Sequence, residues 1–404
     1  MAIAIVGMLD ERQEGLELIK KRIEERGHNA ILIDISIGTG AIEPAIRADI
    51  TCDEVAKAGG TTIKTVRETL DKVRDKATSA IAEGLSKKLL ELYEKSAIQG
   101  VIAVGGMTGT FINLTAMRRL PFGFPKLLIS SAAAMPKYAK SLSEYFGVRD
   151  ITVMHSVVDT VGMNPLVRAL MINGAEAISG MASGYSPPER EEKPSIAITE
   201  VGGCDKGAYY LRELLGRDYN IISFHAVGIG EKAAMELIGQ GLFEVFIDLV
   251  PAGFSEYLLG GNRAVGPDRL DPACKVGMPY ILSTCAFEMI SCGPIKRREE
   301  NDPLWVSRKL AERKLYLQDE LRVQARTSSE EMRTISAEVA KKLNTHPNLS
   351  VEGAVLYDPE SDQSFIDELE RCLDSEIEII KVDTHINTRE FAAAIVDALR
   401  QVLQ

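Results

Sequence analysis

The run Gly105-Gly106-Met107-Thr108-Gly109-Thr110 follows four apolar residues, Val101-Ile102-Ala103-Val104. A buried strand ending in glycines lets the backbone approach a ligand closely. A helix from Phe111 to about Arg119 is expected next, with Thr110 as its cap. Its first amides would face the loop, an arrangement that favours a bound anion. No lysine follows Gly109, so the run is neither a P-loop nor the dinucleotide fingerprint. Expected ligand contacts are Gly105, Gly106, Thr108, Gly109 and Thr110. A counterpart junction, His225-Ala226-Val227-Gly228-Ile229-Gly230, places His225 where an imidazole could donate to a phosphate or act as acid or base near neutral pH. Asp248 lies inside an apolar run and needs a partner if buried. Arg263 is expected either to pair with it or to grip an anion. His385, with Asn387, follows another apolar run. Asp10 and Asp34 come after the first two apolar runs, at the strand ends where open α/β sheets bind ligands.

The elements that must carry these residues follow from periodicity. Ala2–Val6, a helix to about Arg26 with Leu16, Ile19 and Ile23 on its apolar face, and Ala30–Ile35 read as a β-α-β unit, so a parallel sheet is expected. Thr51 and Glu54 predict a capping box. Thr62 to Lys95 reads as helix broken near Gly84. Ser183 to Ser195 is polar and proline-rich, the expected linker. Beyond it, strands are expected at Ile196–Thr199, Ile221–Phe224, Val245–Leu249, Pro279–Leu282, Val351–Tyr357 and Ile377–Val382. The expected fold class is α/β, with two Rossmann-like subdomains of mainly parallel sheet flanked by helices. They are placed at residues 1-185 and 186-404, with a ligand cleft between them.

Composition narrows the function. The formal net charge of -11 argues against general nucleic-acid binding, which wants a basic field. No apolar run approaches a membrane span, and the first strand begins without a signal peptide before it. The six cysteines are dispersed without a C-x-x-C pair. Reduced thiols, a cytoplasmic location and no zinc site are expected. A homodimer is the default assembly for such a protein.

Several segments together resemble the Tm-1-like ATP-binding domain family, UPF0261, over nearly the whole chain. They are Gly105 to Thr110, Met117-Arg118-Arg119-Leu120-Pro121-Phe122-Gly123-Phe124-Pro125-Lys126, Phe224 to Gly230, Gly260-Gly261, Gly266-Pro267-Asp268-Arg269-Leu270 and His385-Ile386-Asn387. The resemblance implies paired Rossmann-like subdomains with ATP in the N-terminal one. Its phosphates would lie in the Gly105–Thr110 loop beside Asp10, with Mg2+ as a bridging ion. The family's first loop reads Asp-Thr-Lys-Gly-Glu, whereas here Asp10 is followed by Glu11-Arg12-Gln13. Its central loop reads Gly-Gly-Ser-Gly-Gly-Thr, and here Met107-Thr108 fill the middle. Three functions are therefore expected to compete. The first is nucleotide binding, with or without phosphoryl transfer or hydrolysis. The second is a metabolic enzyme for a small carboxylated or phosphorylated substrate, using His225, Asp248, Arg263 and His385. The third is a non-catalytic regulatory binding module.

Overall fold

The computed structural model describes residues 2–40, 42–70, 74–186, 193–343, 359–373, 379–382 and 384–403. The chain divides into two compact units, Met1–Arg190 and Glu191–Gln404.

Unit 1 is built from apolar strands buried on both faces, which is what helices on both sides of a parallel sheet require. In chain order it comprises β1 (Ala2–Gly7), α1 (Leu9–Glu25), β2 (Asn29–Asp34), α2 (Cys52–Ala58), α3 (Ile63–Thr69), α4 (Arg74–Glu94) and β3 (Ile98–Gly105). There follow α5 (Met107–Met117), β4 (Lys126–Ser130), α6 (Pro136–Phe146), β5 (Thr152–His155) and α7 (Pro165–Ser183). The sheet order is β2-β1-β3-β4-β5, all parallel. The two-residue period of the strands divides the core. Ile3, Ile5, Ile102, Val104, Leu127 and Ile129 pack with α1 and α7, while Ala4, Val6, Val101, Ala103 and Leu128 pack with α2, α4 and α5. This order puts a topological switch point between β1 and β3. There the connections leave to opposite sides and open a crevice at the strands' carboxyl ends.

Two local expectations change. Thr51 and Glu54 do form the capping box of α2, but α4 runs unbroken through Gly84. A Cβ on Gly84 would lie 2.0 Å from the Val55 carbonyl oxygen, and one on Gly59 would lie 2.0 Å from that of Ala80. These glycines allow α2 and α4 to touch backbone to backbone. The central helix begins at Met107 rather than Phe111, so Thr110 lies inside it and caps nothing.

Unit 2 repeats the scheme and adds a layer. Its parallel part runs β6 (Ser195–Glu200), α8 (Asp205–Leu215), β7 (Asn220–His225), α9 (Ile229–Gly239), β8 (Val245–Asp248), α10 (Ala252–Leu259), α11 (Asp271–Val276) and β9 (Tyr280–Leu282). The sheet order is β7-β6-β8-β9, with its switch point between β6 and β8. Then come β10 (Met289–Gly293), α12 (Pro303–Ser307), β11 (Leu315–Leu317), β12 (Val323–Arg326), α13 (Ser329–Leu343), α14 (Pro359–Cys372) and α15 (Arg389–Val402). Strands β10, β12 and β11 make a small antiparallel sheet that the sequence pattern did not suggest. Trp305 is buried beneath it and donates from Nε1 to the Cys292 carbonyl at 3.0 Å. The expected strand Val351–Tyr357 lies outside the described residues, as does the start of Ile377–Val382. Residues 379–382 carry no strand.

Candidate functional site

At the unit 1 switch point two helices begin, and their first turns are treated differently. The amide of Leu9, in α1, donates to Asp34 Oδ1 at 3.2 Å, and that of Asp10 donates to Ser36 Oγ at 3.2 Å. Asp34 also accepts from the Ser36 amide and hydroxyl, at 2.9 and 2.5 Å. It is buried and shapes the first loop from within. The start of α5 is open by contrast. Gly106 supplies no side-chain cap, and the first intrahelical bond joins the Thr110 amide to the Gly106 carbonyl at 2.8 Å. Such a first turn leaves donors and a positive dipole end for an anion.

A cation stands against that turn. The backbone of α1 leaves helical geometry at Arg12 (φ -133°, ψ 20°), and the Arg12 side chain is buried. A Cβ on Gly106 would lie 2.9 Å from Arg12 Nη2. Nε donates to Thr160 Oγ1 at 2.8 Å, Nη1 meets Glu11, and Nη2 reaches Asp159 Oδ1 at 3.5 Å. Burial pushes the guanidinium below its ordinary pKa, and Asp159 and Asp10 oppose that shift. An arginine remains a cation under such pressure. Arg12 is the residue that sequence reasoning passed over, because it sits in a mixed-charge loop. The departure from the family's Asp-Thr-Lys-Gly-Glu pattern was the one signal available.

The expected contacts have distinct duties. A Cβ on Gly105 would meet the Gly109 carbonyl carbon and the Thr110 nitrogen, both at 2.7 Å. This glycine therefore seats α5 on the end of β3. For Gly109 the nearest atom would be 3.7 Å away, so no contact requires glycine there. Thr110 is fully buried, its hydroxyl 2.6 Å from Ser130 Oγ. Thr108 is half-buried in the first turn of α5. Asp10 is buried. Its Oδ2 accepts from the Gly40 amide at 3.2 Å, while Oδ1 has no hydrogen-bond partner among the described residues.

Among the described residues, no hydrogen bond or ion pair joins His225, Asp248, Arg263 and His385 to one another. Asp248 is buried, but its partner is Arg269, not Arg263. Arg269 Nη2 donates to Asp248 Oδ1 at 2.8 Å, and Nε donates to Glu231 Oε1 at 2.7 Å. Thr199 and Tyr280 also donate to Asp248, at 2.6 and 2.8 Å. Arg263 is committed to Glu256, with Nη2 at 2.7 Å and Nε at 3.0 Å. The counterpart loop fills its own helix start, since Glu231 Oε2 accepts from the Gly228 amide at 3.1 Å. His225 is exposed at the end of β7. His385 Nδ1 accepts from the Asn387 amide at 3.0 Å, and Asn387 reaches the Gly207 amide and the Gly203 carbonyl at 3.2 and 2.7 Å. Lys126, another of the family-like positions, is buried at the start of β4. It donates to the Pro121 and Phe124 carbonyls, each at 2.8 Å, and pairs with Asp150, so its duty is structural.

Two units with mainly parallel, helix-flanked sheets place the chain in the Rossmann-like α/β class. The N-terminal domain of the uncharacterised protein family UPF0261 matches residues 1–187 and its C-terminal domain matches residues 193–403, so the chain belongs to that family. A UPF0261 protein from Clostridium tetani is 30% identical over 417 aligned residues, covering 100% of this chain and 99% of the relative. One from Rhizobium meliloti is 28% identical, covering 99% and 98%. The ToMV resistance protein Tm-1 of Solanum lycopersicum is 26% identical over 82% of this chain and 45% of its own length. No helix among the described residues is long and apolar enough to cross a membrane.

Proposed function

We propose that unit 1 binds an anionic, phosphate-bearing ligand of the nucleotide class at the carboxyl ends of β1 and β3. The observation that carries this reading is the buried Arg12 guanidinium set against Gly106 at the uncapped start of α5. A helix N-terminus and a fixed arginine fork favour the same charge and the same planar oxygens. Asp159 is 71% exposed and makes the longest of the Arg12 contacts, so it is the group an entering phosphate replaces. The orphaned Oδ1 of Asp10 suits a divalent cation shared with phosphate oxygens, a common mode for Mg2+. Such an ion would neutralise phosphate charge. ATP is the nucleotide that the Tm-1-like resemblance suggests.

The test is a thermal-shift and calorimetric titration with ATP, ADP and pyrophosphate, with and without Mg2+. A saturable rise in melting temperature is expected for wild type and is expected to vanish in Arg12→Ala. A wild type indifferent to all three ligands, or an Arg12→Ala protein that responds like wild type, overturns the reading.

A further inference from the structure

The exposed apolar side chains of unit 1 gather on one edge of its sheet. Ile42 lies in the loop after β2, and Met107 opens α5 after β3. Met135 and Tyr138 follow β4, and Val157, Val161 and Leu166 follow β5. All of them stand on the side of the strands' carboxyl ends. On the opposite edge, where helices return to strands, the described residues expose one large apolar side chain, Phe122. Single exposed apolar groups are ordinary on a protein surface, but a set of them around a polar centre marks a binding site.

Four of these residues adjoin the surroundings of Arg12. Met107 is next in sequence to Gly106, where a Cβ would lie 2.9 Å from Arg12 Nη2. Val161 is next to Thr160, which accepts from Arg12 Nε at 2.8 Å. Val157 precedes Asp159 by two residues, and Asp159 is the farthest partner of Arg12. The Ile42 amide donates to the Asp10 carbonyl at 3.1 Å. Arg12 and Asp10 are buried, so a recessed polar centre has an apolar border.

Val157 is the most telling of the four. Its φ of 63° is left-handed, a strained conformation for a β-branched residue. The turn is held by the Val158 amide donating to the Ser156 carbonyl and by the Ser156 hydroxyl donating to the Val158 carbonyl, both at 2.6 Å. Yet Val157 is 81% exposed, so the strain brings no burial with it. Strained backbone concentrates at ligand clamps, and a bound apolar group would supply the contact this side chain lacks.

We infer that the ligand of unit 1 is a phosphate ester carrying an apolar group, held by Ile42, Met107, Val157 and Val161 while Arg12 and α5 hold the phosphate. The inference rests on phosphate binding at Arg12 and narrows the organic part of the ligand. Ligand sites commonly divide the work this way, with apolar walls and a few polar groups that fix orientation. Met107 suits a wall, because a thioether chain adapts to irregular shapes. An aliphatic chain and the base of a nucleotide are both apolar bodies borne on phosphate, and the two arms of the experiment separate them.

Binding to the full chain is measured by calorimetry at fixed ionic strength. One arm compares methyl, butyl and hexyl phosphate, and the other compares pyrophosphate with ADP. Each methylene covered strengthens binding by about two- to fourfold, so a border that takes a chain should bind hexyl phosphate at least about tenfold more tightly than methyl phosphate. A border that takes a base should favour ADP over pyrophosphate by a similar factor. In the double variant Val157→Asn with Val161→Ser, the gain is expected to fall to about threefold or less. Asparagine adopts left-handed backbone more readily than valine, so this variant is expected to fold. A gain on either arm that falls in the variant supports the inference, and the arm that shows it identifies the group. The inference is overturned if wild type binds pyrophosphate and neither arm shows a gain, or if the gain survives undiminished in the variant. Should the variant not fold, the wild-type series decides by itself. If wild type binds none of these phosphates, the inference falls together with phosphate binding at Arg12. Pyrophosphate binding that Arg12→Ala abolishes, with both arms flat, overturns the apolar border alone.

Discussion

The carboxyl edges of the two parallel sheets use buried arginine in opposite ways. In unit 1, Arg12 lies beside an uncapped helix start, and its farthest contact is a largely exposed aspartate. In unit 2, Arg269 is entirely enclosed between Asp248 and Glu231, and Glu231 also occupies the amide at the start of α9. Each guanidinium meets two carboxylates, Glu11 and Asp159 for Arg12 and Glu231 and Asp248 for Arg269, but Asp159 is 71% exposed whereas both partners of Arg269 are fully buried. The contrast is one of how deeply the partners are buried, not of residue type.

The comparison breaks most visibly at Arg269. Arg269→Met strands two buried carboxylates, and losing one partner of a buried pair costs about 3–5 kcal/mol. Trp305, the single tryptophan, lies in unit 2, so its fluorescence in urea reports this loss directly. An unchanged midpoint would mean that the hub is dispensable. Gly105→Ala is the next largest effect. It drives a methyl group into the backbone of α5, and overpacking of this kind costs about 1–3 kcal/mol. Circular dichroism would show unit 1 weakening while the Trp305 transition stays in place. Arg12→Ala is expected to cost about 1.5 kcal/mol, the lower end for a lost hydrogen bond to a charged group, yet to abolish the anion response. A large stability loss with ligand binding intact would make Arg12 structural, like Arg269. The smallest change is Gly109→Ala, which meets nothing closer than 3.7 Å inside a helix. A gain of about 0.5–1 kcal/mol is expected in the unit 1 melt.

Much of this was legible in the sequence. The β-α alternation of both units and the glycine loop at the end of the central strand follow from short apolar runs separated by polar turns. Partner choice was harder to read. Asp248 announced that it needed a cation, but Arg263 and Arg269 are both near in sequence, and only the placed backbone chooses between them. Arg12 carried no periodic signal and only a departure from the family's first-loop motif, because the glycine it stands against, Gly106, is far along the chain. Gly84 reads as a helix breaker by propensity, yet it permits a contact whose other half lies in α2. The strands of the antiparallel sheet, as short as Leu315–Leu317, leave no alternation to detect.

The clasp at Asn387 bears on how the chain is made. Asn387 bonds the loop before α8 at Gly203 and the first turn of α8 at Gly207, α15 packs on α8, and a Cβ on Gly207 would lie 2.5 Å from the Ile386 carbonyl oxygen. The first crossover of unit 2 is thus finished by residues about the last to leave the ribosome among those described. Unit 1 has its whole sheet once β5 has emerged, and domains commonly fold in that N-to-C order during synthesis. By the same order, the first crossover of unit 2 is expected to close only after Asn387 and α15 have been made.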